Sequence, residues 1–68
     1  MMKYKINVLM ELEKAGYPQI RLRNEKLIGQ AAIQKLRQGK MIGMNVLTTI
    51  CKLLNKQPGD IIEYVMEE

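Results

Sequence analysis

The sequence predicts an all-α domain of five short helices, and three observations predict it. Turn-forming residues fall at regular intervals: Gly16-Tyr17-Pro18, Gly29, Gly39-Lys40, Gly43 and Asn55-Lys56-Gln57-Pro58-Gly59. Between them lie stretches of about 8–12 residues, a length that suits short helices. Within these stretches apolar residues recur at helical spacing, and nothing demands a central sheet. Sixty-eight residues allow a single domain spanning 1–68. A hydrophobic content of 47% is too high for a disordered chain.

The helices are justified in order. Residues 5–15 place Val8, Leu9, Leu12 and Ala15 on one face, with Glu11 and Lys14 outward. Gly16 stands where a left-handed residue closes a helix. Pro18 suits the start of a second helix over about 18–26, because its missing N–H costs nothing there. That helix is weakly amphipathic: Ile20, Leu22 and Leu27 are its apolar residues, and Arg21, Arg23 and Lys26 its polar ones. A third helix, residues 30–38, buries Ile33 and Leu36 with help from Ala32, and Gly39 closes it.

The fourth, residues 44–55, is the best defined, with Leu47, Ile50, Cys51 and Leu54 at i, i+3, i+4 and i+7. Pro58 opens a short fifth helix, and Asp60 lies near its N-terminus, where the helix dipole favours a carboxylate. Met2–Lys5 and Tyr64–Met66 look extended, so a minor two-stranded pairing of the termini is open.

Composition removes several functions. With no histidine there is no ordinary acid–base residue, and the lone Cys51 has no histidine to activate it. One cysteine makes neither an intramolecular disulfide nor, unaided, a zinc site. Cys51 lies on the apolar stripe of the fourth helix and reads as an inert core thiol. There is no Gly-rich phosphate loop, so no enzyme, no cofactor and no small-molecule ligand is expected. No run approaches the roughly 18–20 apolar residues of a membrane span. Residues 1–6 lack a signal-peptide core, and a cytoplasmic, nucleoid-associated location is the expectation.

Charge is informative by position. The net charge is +4. Residues 14–40 carry Lys14, Arg21, Arg23, Lys26, Lys35, Arg37 and Lys40 against Glu25 alone, a local balance of +6. The remainder, with four lysines against six acids, stands at −2. Such asymmetry suits an anion-binding face, although charge alone fits solvated helix surface equally well.

The second and third helices are joined by a very short connection around Leu27–Gly29, the arrangement of a helix-turn-helix. The second helix of such a unit enters the DNA major groove with its N-terminal residues facing base edges. Ile33 and Leu36 fix the inward side of the third helix, which leaves Gln30, Ala31, Gln34 and Lys35 outward. Gln can pair with adenine, Lys can donate to guanine, and the Ala methyl can meet thymine.

Three runs sharpen this. Ile33-Gln34-Lys35-Leu36-Arg37-Gln38-Gly39-Lys40 is similar to the end of the recognition helix, with its following loop, in the Cro and phage-repressor-like (XRE-type) helix-turn-helix family. The runs 46–55 and 57–65 resemble that family's fourth and fifth helices. The resemblance covers about residues 5–65 and is to the small single-domain members found in bacteria and mobile elements. It implies a lambda-repressor-like fold and a homodimer on double-stranded operator DNA, acting as a transcriptional regulator, most simply a repressor.

It also implies roles. Gln19 matches a phosphate-contacting glutamine at the start of the second helix, and Lys40 a basic residue that approaches the backbone after the recognition helix. Arg21, Arg23, Lys26 and Arg37 join them as phosphate candidates. The sequence departs from the family at Arg23, where a small residue is usual, and at Leu27, where a glycine is usual. Gly29 is expected to absorb the tight geometry one or two residues later, as an N-cap lacking a side-chain acceptor. An apolar C-terminal patch of Ile61, Ile62, Tyr64 and Val65 is either a dimer seam or ordinary core. A different reading of the same fold is a protein-interaction module whose basic face binds an acidic protein partner.

Overall fold

Each helix begins and ends where local chemistry dictates. In the computed structural model, which describes residues 1–66, Asn7 accepts the Met10 amide at 3.2 Å and opens α1 (Val8–Lys14). This N-cap starts the helix later than periodicity suggested, leaving residues 5 and 6 outside it. Then follow α2 (Gln19–Asn24), α3 (Gln30–Gln38), α4 (Met44–Leu54) and α5 (Pro58–Ile61). In α5, Pro58 is the first helical residue and the Asp60 carboxylate accepts the Gln57 amide at 3.1 Å.

The termini pair. β1 (Met2–Tyr4) runs antiparallel to β2 (Ile62–Tyr64), with Met2 opposite Tyr64, Lys3 opposite Glu63 and Tyr4 opposite Ile62. β2 follows α5 directly and so begins earlier than the extended-looking Tyr64–Met66 had suggested. The Met1 ammonium donates to the Val65 carbonyl at 2.6 Å, and the Val65 amide returns to Met1 at 2.7 Å.

A recurrent closure ends the four longer helices. Gly16, Lys26, Gly39 and Asn55 all have positive φ. The residue after each donates back across the last turn: Tyr17 to Leu12, Leu27 to Leu22, Lys40 to Lys35 and Lys56 to Cys51, at 2.7–3.0 Å. These are Schellman closures, which satisfy the orphaned carbonyls of a helix end.

The second closure divides the turn between two residues, with Gly29 in its expected N-cap place. Lys26, at φ +55°, carries the left-handed conformation, whereas Gly29 has φ −67° and ψ 156° and serves as the N-cap of α3. α2 therefore stops at Asn24, two residues short of its expected end. Leu27 is half-buried, and Ile28 enters the core at 3% exposure.

The core consists of Val8, Leu12, Leu22, Ile28, Ile33, Leu47, Ile50 and Ile61. An apolar residue just before the N-cap is matched by one at the fourth helical position in α2 (Tyr17, Leu22), α3 (Ile28, Ile33) and α4 (Ile42, Leu47). Such staples set the angle at which chain enters helix. Ile28 with Ile33 thus seats α3 against the core. Ile20, in contrast, is 65% exposed, because two residues along a helix is more than half a turn from buried Leu22. Among the described residues no helix is long and apolar enough to cross a membrane.

Candidate nucleic-acid interface

The inward side of α3 consists of half-buried Ala32, buried Ile33 and half-buried Leu36. At 3.6 residues per turn this leaves Gln30, Ala31, Gln34 and Lys35 on the opposite stripe, and all four are exposed. Gln38 is exposed on the same stripe, four residues beyond Gln34 and seven beyond Ala31. It was not among the expected base-facing residues, although its spacing alone marks it as their neighbour. The outward face is short, uncharged except for Lys35, and rich in side-chain amides.

The phosphate candidates flank the two ends of this stripe. Near the C-terminal end of α3, Gln19 and Arg37 line one open groove of about 800 Å³ together with Tyr4, Asn7 and Gly39. Lys40 follows Gly39 and is exposed. Near the N-terminal end, Arg23, Lys26 and Gln30 line a hollow of about 330 Å³ at the turn.

Arg21 stands apart. Its Nε donates to Glu25 Oε2 at 2.6 Å, its second donor goes to the Gly16 carbonyl at 2.8 Å, and its guanidinium lies 4.7 Å from the centroid of the Tyr17 ring. The hydrogen bond to Glu25, with that carboxylate's charge, holds the guanidinium pKa above its ordinary value. Arg21 thus ties the α1–α2 connection to α2, with half-buried Tyr17 packed against the core beside it. Lys14 lies 3.9 Å from Glu11. Among the described residues, Arg23, Lys26, Lys35, Arg37 and Lys40 pair with no carboxylate. The local +6 therefore resolves into five free cations around α3.

The C-terminal patch divides. Ile61 is fully buried in this chain's own core, which corrects its placement in a dimer seam: it presents no atom to a partner. Ile62 is half-buried against the core and Val65 is half-buried, while Tyr64 is 67% exposed. The strand register brings exposed Met2 opposite Tyr64, a neighbour that no linear pattern announces. Cys51 is half-buried rather than enclosed, beside an open hollow on α4 lined also by Met44, Leu47 and Lys52.

Residues 5–67 match the family model of the Cro/C1-type HTH DNA-binding domain. The chain is 33% identical over 63 residues to the uncharacterized HTH-type transcriptional regulator YozG of Bacillus subtilis (strain 168), a match covering 93% of this chain and 75% of that one. No solved structure matches the chain significantly. The match spans nearly the whole chain, α2 and α3 included, and the chain belongs to the Cro/C1-type helix-turn-helix DNA-binding domain family.

Proposed function

We propose that this chain is a sequence-specific regulator that binds double-stranded DNA with α3 in the major groove. Gln30, Ala31, Gln34 and Lys35 read base edges, while Gln19, Arg23, Lys26, Arg37 and Lys40 contact phosphates. Arg21 leaves that set, because its charge is paired with Glu25 and two of its donors are held within the chain. The observation that carries the reading is the amide-rich outward stripe of α3, with cations at both its ends that pair with no carboxylate among the described residues. Phosphate contacts set register and base contacts set sequence, and this chain separates the two spatially.

The regulator is proposed to be a homodimer and a repressor that occludes the sites it occupies. Exposed Tyr64 with Met2 lies at the seam, flanked by Ile62 and Val65. Two copies would hold their α3 helices about 34 Å apart and read an inverted repeat.

Titration with mixed-sequence duplex at several salt concentrations tests the binding mode. Affinity should fall steeply with salt, and Lys40→Ala should flatten the log–log slope by about one unit. Absence of salt-sensitive duplex affinity would overturn the proposal. It would favour instead an acidic protein as the ligand of the same cations.

A further inference from the structure

Lys40 sits at the one place where the chain leaves the DNA-facing helix without entering another regular element, since Met41 and Ile42 precede the Gly43 N-cap of α4. Its amide is fixed by the Schellman closure of α3, donating to the Lys35 carbonyl at 2.8 Å. Its carbonyl would have no helical or strand partner to hold it. That carbonyl instead accepts the Tyr4 hydroxyl at 2.7 Å, from a residue 36 positions earlier in the chain.

Tyr4 is itself anchored. It is half-buried and packed against the core, and it lies opposite Ile62 in the two-stranded sheet. The next residue, Lys5, donates its amide to the carbonyl of fully buried Ile61 at 2.8 Å. The Lys40 backbone is therefore held on both sides, by α3 through its amide and by the terminal sheet through its carbonyl. Its ammonium is left free in solvent. Burial pushes the Tyr4 hydroxyl above its ordinary pKa, which keeps the donor proton in place well beyond neutral pH.

We infer that Tyr4 is a positioning residue for DNA binding: its hydroxyl clamps the Lys40 carbonyl and so presents the Lys40 ammonium to the phosphate backbone at a fixed place beside α3. The inference rests on the proposed phosphate contact of Lys40. Without the clamp the lysine keeps its charge, and binding must then order a loop that the free protein no longer orders. Ordering one such side chain weakens affinity by about 2- to 10-fold.

The test is a double-mutant cycle of Tyr4→Phe and Lys40→Ala, read as affinity for a mixed-sequence duplex and its salt slope. Circular dichroism at the assay temperature supplies the folded fraction by which each affinity is corrected. Tyr4→Phe keeps the ring and removes the hydroxyl, both as donor to the Lys40 carbonyl and as acceptor of the Ile42 amide. It should weaken binding by about 2- to 10-fold when Lys40 is present and have no effect in the Lys40→Ala background. Equal losses in both backgrounds would overturn the inference and leave the DNA reading standing. If Lys40→Ala changed neither affinity nor slope, the phosphate contact would fail, and the clamp's role in binding with it.

A readout without DNA completes the test. In Tyr4→Phe the Lys40 amide, which donates to the Lys35 carbonyl at 2.8 Å, should exchange hydrogen faster while amides in the middle of α4 keep their rates. Unchanged loop exchange would show that the hydroxyl does not hold the loop, and would refute the clamp independently.

Discussion

Replacing Lys26 with glycine should make this protein more stable, although it removes a side chain and adds no contact. Lys26 adopts φ +55°, in the left-handed region. For a residue with a Cβ that conformation costs roughly 1–2 kcal/mol. Glycine relieves the strain but forfeits about 0.5–1 kcal/mol of backbone entropy on folding. The net gain is about 0.5–1 kcal/mol, the difference of those two figures near their centres. In a domain of this size about 1 kcal/mol moves the melting temperature by some 4–8 °C, so a rise of about 2–8 °C is expected.

Thermal and urea unfolding followed by far-UV circular dichroism would measure it. Lys26→Ala is the control: it removes the same charge without relieving φ, and should stay within about 0.5 kcal/mol of the parent. Leu27→Gly should move the other way. Half-buried Leu27 loses its packing, a cost of roughly 1–3 kcal/mol that discounts the loss of a fully buried leucine. If Leu27→Gly raised the melting temperature and Lys26→Gly lowered it, the left-handed residue would be at 27 and the described turn would be wrong.

Three further outcomes are expected. Ile28→Ala opens a cavity at the staple that seats α3, a loss of about 2–4 kcal/mol against a total of roughly 3–5 kcal/mol for a core this small, so the variant should keep only about 1 kcal/mol and melt far below the parent by circular dichroism. Gly29→Ser supplies α3 with the N-cap acceptor it lacks, into open space, and should raise stability by about 0.5–1 kcal/mol in a urea titration. Tyr4 gives an alkaline effect of defined sign. Its folded value is raised above 10.0, so its contribution is complete below pH 10 and declines as pH rises through the folded value. Urea stability of Tyr4→Phe should therefore fall less than that of the parent above pH 10.

The limits of α3 were legible because Gly29 and Gly39 bracket a clean helical pattern, and the expected residues 30–38 are those observed. The second helix was misread at its end. The adjacent pair Leu27-Ile28 fits an inward face in either register, and only the left-handed turn at Lys26 decides that Ile28 goes fully inside. Ile61 was misplaced for a related reason: the chain changes from helix to strand between Ile61 and Ile62, so neither periodicity spans the patch.

Charges were legible in number and not in commitment. The i, i+4 spacing of Arg21 and Glu25 hints at their pairing, whereas the Gly16 carbonyl that completes it is a matter of tertiary placement. The hydroxyl of Tyr4 on Lys40, 36 residues away, leaves no local trace at all.

The central claim is that the outward stripe of α3 selects DNA sequence. Selection of bound sites from a random duplex library, run in parallel on the parent, Gln30→Ala and Lys35→Ala, addresses it most directly. The parent should enrich an inverted repeat with half-site centres about 10–10.5 base pairs or a multiple apart, and each variant should shift the preferred bases within the half-site. An unenriched pool, or one consensus shared by all three proteins, would contradict direct readout by α3.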